Sequence, residues 1–235
     1  SNSFDAYIRN NRSAGPDDAY RYATGLPVIH PYSRARVQIE TPLDFLVVAD
    51  HAEYLGVIRT VNEGNLPREG LSLYDKAKAW VVEFVFQRGL AKDDMSSFGS
   101  SAQVNKGAPE EAARISALNT DLVPNSGLIA RNTWLESTDL ADVYNQPGTF
   151  TAMIGWEWSP VPGGANLHRV VLTDSDAKVA QSYEPFGMGH SPYPEDLWAW
   201  LEETSERTQA QFIAIPHNSN ISKGYMFPET TIKGE

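Results

Sequence analysis

The chain carries only five histidines, His30, His51, His168, His190 and His217. Three of them stand beside apolar runs. His51 follows Asp44-Phe45-Leu46-Val47-Val48-Ala49 after Asp50, His217 follows Phe212-Ile213-Ala214-Ile215-Pro216, and His168 stands at the start of the run 167–172. Glu157 closes a fourth run, 150–156. Imidazole nitrogen and carboxylate oxygen without thiolate suit Zn, Mn or Fe in a hydrolytic role, where the ion acidifies a bound water and polarises the substrate. A single His beside a strand is more often a structural or surface residue. Three such histidines with a Glu at comparable positions favour a site. His30, before Pro31, and His190, among Gly and Pro, lack that context and read as surface residues. Asp5 and the pair Asp17-Asp18 read either as further ligands or as a solvated acidic edge. No G-x-S-x-G elbow, Walker loop or H-E-x-x-H helix is present, and Pro162-Gly163-Gly164 reads as a turn.

Side chains so far apart in sequence meet only if the fold brings the strand ends together. The four apolar runs have the length and flanking turn residues of strands. Between them lie helical signals. Ala77, Trp80, Val81, Phe84 and Val85 recur at helical spacing, which predicts one stripe packed on the core, with Ser72 and Asp75 as a capping box and Gly89 as a stop. Pro194-Glu195-Asp196 opens a second helix, residues 129–144 form a third, and Pro16-Asp17-Asp18 and Pro109-Glu110-Glu111 start two more. The Ser- and Gly-rich stretch 95–106 reads as a mobile loop. Strands alternating with helices predict an α/β fold with a mainly parallel sheet, in which strand ends converge on one face. Alternation puts Trp156 and Trp158 on the side of their strand opposite Glu157.

Composition narrows the partners. The 235 residues are 41% hydrophobic, enough for a core, and are read as a single domain, 1–235, with a helical insertion around 60–146. With 19 Lys+Arg against 30 Asp+Glu the net charge is −11, which disfavours phosphate backbones and anionic membranes. No run approaches the roughly 18 apolar residues of a membrane span. The expectation is therefore a small-molecule substrate, with no nucleic acid and no membrane as partner and the oligomeric state open. The chain contains no Cys, so disulfides and thiolate sites are excluded, whereas the compartment stays open. A start at Ser1 suggests a fragment, compatible with a periplasmic protein whose signal peptide was removed upstream.

Asp50-His51, Glu157, His168 and Pro216-His217 resemble the metal-binding motifs of the PHP (polymerase and histidinol phosphatase) superfamily. Ser3-Phe4-Asp5-Ala6-Tyr7, Gly15-Pro16-Asp17-Asp18-Ala19-Tyr20-Arg21-Tyr22-Ala23, Pro42-Leu43-Asp44-Phe45 and Ala49-Asp50-His51-Ala52-Glu53 resemble more closely a bacterial family catalogued as a domain of unknown function, number thirty-six oh four. The resemblance covers the whole chain. It implies a PHP-like distorted (β/α)7 TIM-type barrel, incomplete here because the first strand and the C-terminal segments, with the family's His-x-His pair and Asp-x-His motif, are missing. It also implies up to three divalent ions in the intact parent protein. Glu157, His168 and His217 match the ligands of one, Glu157 bridges to a second, and Asp5 and His51 match two ligands of the third.

The activity so implied is hydrolysis by a metal-activated water, with a phosphoester as the usual substrate and no assigned catalytic residue beyond the ligands. The fragment itself is expected to be inactive. Two other readings stand beside it: a noncatalytic metal- or ligand-binding module on the same scaffold, or a hydrolase of a nonphosphate substrate. A structural α/β domain whose His and Glu satisfy core polar groups is a third.

Overall fold

A computed structural model of the chain describes residues 1–8, 11–91, 123–227 and 229. In chain order the elements begin with α1 (Phe4–Ile8), α2 (Pro16–Ala23), β1 (Val28–Ile29), β2 (Arg36–Val37), β3 (Phe45–Val47), α3 (Val57–Glu63) and α4 (Leu73–Ala91). They continue with α5 (Ser126–Tyr144), β4 (Thr151–Trp158), β5 (Arg169–Thr173), α6 (Ala177–Ala180), α7 (Pro194–Thr208) and β6 (Phe212–Pro216). The fold is mixed α/β. Strands β1 and β2 form a small hairpin, and β3-β4-β5-β6, in that order, form a four-stranded sheet. The described strands close no barrel. The helix start expected at Pro109 and the loop 95–106 lie outside the described residues.

The sheet is not mainly parallel. Only β3 and β4 run parallel, while β4-β5 and β5-β6 are antiparallel. The reason is the link from Ser159 to His168, which holds the turn Pro162–Gly164 and is too short for a crossover helix. Chain direction must therefore reverse between β4 and β5.

Alternation along β4 separates two faces. Ala152, Ile154, Trp156 and Trp158 are buried on one, together with Val171 of β5, Trp134 and Ala141 of α5, Ala177 and Ala180 of α6 and Leu197 of α7. Both β4 tryptophans satisfy their indole N–H there, Trp156 on the Phe186 carbonyl at 3.1 Å and Trp158 on that of Ser191 at 3.2 Å. The other face carries Phe45, Ile213 and Ile215, which are 60%, 61% and 48% exposed. Gly155 also lies on that face, where a Cβ would come within 2.6 Å of the Val171 carbonyl and 2.7 Å of Val47 Cγ2. Glycine is thus what lets β3, β4 and β5 approach one another.

A second, smaller core joins Tyr7 of α1, Val57, Ile58 and Val61 of α3, Ala79 and Phe86 of α4 and Ile129 of α5. Here the expected stripe of α4 is corrected. Trp80, Val81, Phe84 and Val85 are each at least half exposed, and Ala79, Glu83 and Phe86 face inward. Apolar side chains fall on every side of this helix, interspersed with Lys76, Lys78, Gln87 and Arg88, so periodicity supports more than one inward face. Glu83 selects the one observed, because its buried carboxylate accepts from the Leu66 N–H at 3.0 Å and is paired with Arg68. Ser72 caps the helix by accepting the Asp75 N–H at 3.1 Å, but its hydroxyl donates to the Asp75 carboxylate at 2.7 Å in place of the return bond of a full capping box, and Gly89 lies within the helix instead of ending it.

Candidate metal centre

Strand register assembles the site. The β3-β4 ladder pairs Phe45 with Thr151 and Val47 with Met153, and the same offset continues to a parallel bridge between His51 and Glu157. Backbone bonds of 2.9 Å hold that rung, from Glu157 N–H to the Asp50 carbonyl and from Ala52 N–H to the Glu157 carbonyl. Across β4-β5, Glu157 pairs with Val170, so His168, two residues before Val170, shares its face as a diagonal neighbour. Across β5-β6, Arg169 pairs with Pro216, and the His217 N–H donates to the His168 carbonyl one rung further at 3.2 Å. All four side chains therefore stand on the exposed apolar face at one edge of the sheet. Strand β5 starts where β3, β4 and β6 end, which is why His168 precedes its strand while the others close theirs.

Glu157 is the hub. Its Oε1 lies 2.7 Å from His168 Nδ1 and 3.0 Å from His217 Nε2, and its Oε2 lies 3.9 Å from His51 Nε2. Asp5 Oδ1 is 3.8 Å from the same His51 nitrogen. His51, Glu157 and His168 each offer one ligand-type atom within 4.8 Å of the others. Glu157 is 15% exposed and the three histidines 12% (His51), 13% (His168) and 37% (His217). Burial alone pushes the Glu157 carboxyl up, but the hydrogen bond from His168 and the fields of His51, His168 and His217 outweigh it and hold it below its ordinary value. The carboxylate form is thereby favoured.

All five residues expected at the site are thus brought together, with Asp5 at its rim. Asp17 and Asp18 are placed elsewhere. Asp17 accepts from the Tyr144 hydroxyl at 2.6 Å, and Asp18 accepts the Gly15 N–H at 2.9 Å, capping α2. His30 Nδ1 accepts from the Ser33 N–H at 3.2 Å in the β1-β2 turn, and the exposed His190 accepts from the Gly187 N–H at 3.0 Å.

Three supporting residues escaped sequence reasoning. Asp50, 8% exposed, accepts from the backbone N–H groups of Asn2 at 3.1 Å and Ser3 at 3.2 Å and from the Ser3 hydroxyl at 2.9 Å. It thereby docks the segment that carries Asp5. Ser159 sets its hydroxyl against His51 Nδ1. Glu53 accepts the Met188 N–H at 2.6 Å and the Ser159 N–H at 3.4 Å. Asp50 and Glu53 stood out only as members of the family-like stretch 49–53 beside a ligand, with no role assigned, and Ser159 carried no signal.

The donor set fits a divalent ion of the Zn, Mn or Fe class: imidazoles and carboxylates, no thiolate, converging atoms and partial burial. His168 Nε2 and His217 Nδ1 are buried without a hydrogen-bond partner, so hydrogen bonding alone does not satisfy this cluster.

The family described as "Protein of unknown function (DUF3604)" matches residues 1–235. The chain belongs to the DUF3604 family. No curated protein and no solved structure matches this DUF3604 chain. No helix among the described residues is long and apolar enough to cross a membrane.

Proposed function

We propose that this DUF3604 chain carries the centre of a divalent-metal-dependent hydrolase of PHP type, with a phosphoester as the substrate class. The observation that supports it most is one carboxylate, Glu157, facing three histidines at a single sheet edge. Residues His168 and His217 with Glu157 Oε1 would hold one ion, and Asp5 and His51 with Glu157 Oε2 a second. Such ions acidify a bound water and offset charge on the scissile group's oxygens.

The chain's own residues supply the rest. Glu157 is held in its carboxylate form because the hydrogen bond from His168, together with the histidine fields, outweighs its burial. Its two oxygens divide the histidines into His168 with His217 and His51 alone, so one side chain serves both halves of the site. Val170 and Ile215, neighbours of His168 and His217 on the same face, form an apolar floor beside the polar cluster. The same reading extends to a PHP-like distorted barrel, since an apolar sheet face ending in polar ligands is the pattern of an inward barrel face.

The test is metal content by elemental analysis of the chain purified without chelators, beside hydrolysis of p-nitrophenyl phosphate by the natural full-length protein. At least one equivalent of Zn, Mn or Fe, and turnover abolished by EDTA, are expected. Bound metal without turnover of any ester would instead favour a noncatalytic binding module. No bound metal would leave a structural α/β domain and sink the proposal.

A further inference from the structure

We propose that Ser159 is the positioning residue that fixes the tautomer of His51, so that Nε2 carries the lone pair offered to a cation. The inference rests on the metal reading above and concerns how the chain prepares one of its ligands.

The argument follows the protons. Ser159, 6% exposed at the end of β4, places its Oγ against His51 Nδ1. The same Oγ lies 3.5 Å from the Glu157 carbonyl, toward which its proton can be directed. With that proton committed to a backbone acceptor, the hydroxyl turns a lone pair to the ring, and Nδ1 is the donor. In a neutral imidazole Nε2 is then unprotonated. That nitrogen faces two carboxylate oxygens, Asp5 Oδ1 at 3.8 Å and Glu157 Oε2 at 3.9 Å. Neither distance is a hydrogen bond. A lone pair opposed to two anionic oxygens is unfavourable unless a cation lies between them, and ligand atoms each about 2.0–2.2 Å from an ion stand at comparable separations.

Ser159 is itself held. Its N–H donates to Glu53 Oε1, whose other partner is the Met188 N–H, so the loop after α6 and the end of β4 are tied through one carboxylate. Phe4 packs against the His51 ring at 5.1 Å between centroids, and His168 meets it edge-on at 5.6 Å. The ring is thus confined by packing, and its proton by Ser159. Outer partners of this kind orient metal-ligating histidines and fix which nitrogen is free.

The experiment is nitrogen-15 NMR of the His51 ring in the chain 1–235, at a pH where the ring is neutral, with Mn2+ affinity read from loss of the free-ion EPR signal. Wild type is expected to hold the proton on Nδ1. Ser159→Ala is expected to release the ring to a mixture of tautomers and to weaken Mn2+ binding about 10–100-fold. Ser159→Thr, which keeps the hydroxyl, should restore both. A wild-type proton on Nε2 overturns the proposal whether or not the variants fold, as does an unchanged tautomer in Ser159→Ala. Failure of wild type to bind Mn2+ with the Nδ1 proton in place overturns the metal reading and leaves the assignment of the ring proton standing.

Discussion

His168 and His217 face each other across the β5-β6 ladder, their ring centroids 5.9 Å apart, and both turn a nitrogen to the same oxygen of Glu157. Because both serve Glu157 Oε1, loss of either should weaken the site, His168 more than the longer-bonded and more exposed His217. His168→Ala or His217→Ala should weaken divalent binding by more than the 10–100-fold of an outer-partner change. In the metal-free protein each should cost about 1–3 kcal/mol, the cost of leaving a buried acceptor with one partner fewer. Calorimetric titration and denaturant unfolding of the two variants check this, and unchanged metal affinity in either would remove that residue from the site.

Gly155 is expected to tolerate no side chain. In Gly155→Ala the new Cβ meets backbone on β5 and Val47 on β3, so one of the two strands must shift. Overpacking of this kind costs about 1–3 kcal/mol or more. Because Glu157 follows two residues later on the same face, metal affinity should fall together with the urea midpoint. A variant as stable as wild type would mean that the strands are not so closely drawn together.

The two sides of α4 should respond in opposite ways. Phe86→Ala, at a side chain 5% exposed, is expected to cost about 3–5 kcal/mol. Trp80→Ala, at a side chain 63% exposed and stacked on Phe84, should stay near ±0.5 kcal/mol. Thermal unfolding of both variants distinguishes the faces, and a reversed order would restore the stripe expected from periodicity.

Alkaline pH should unfold the protein before its buried tyrosines ionise. Burial pushes Tyr20 and Tyr54 up to about 12, and slight burial together with the hydrogen bond to Asp17 takes the partly exposed Tyr144 to about 12 as well. The folded values lie above the unfolded value near 10, so the stabilisation these groups give is fully present below pH 10 and is lost as pH rises toward 12. Absorbance titration of the phenols should show a late group rising with the unfolding transition. Complete ionisation by pH 11 in folded protein would contradict it.

Much of the site was legible because its signals are local. Alternation alone separates Glu157 from Trp156 and Trp158, and apolar runs bounded by His or Glu mark the strand ends. The position of His168 before its run, where the other ligands follow theirs, already implied a reversed strand. That clue lost to the general expectation that alternating strands and helices make parallel sheets. The inward face of α4 was not legible, since it depends on Glu83 finding Arg68 across a turn of chain. Nor was the role of Asp50, whose partners Asn2 and Ser3 become neighbours only through folding.

The seam along β4, parallel to β3 on one side and antiparallel to β5 on the other, makes the cluster a register gauge. Side chains alternate with a period of two, so a slip of one residue in any of the three ladders would turn His51, Glu157 or His217 toward the tryptophan side. Compact states with slipped strands can keep much of their apolar burial yet cannot gather the ligands. On the proposed reading, ion binding stabilises only the correctly aligned chain and so acts as a proofreading step in its own folding.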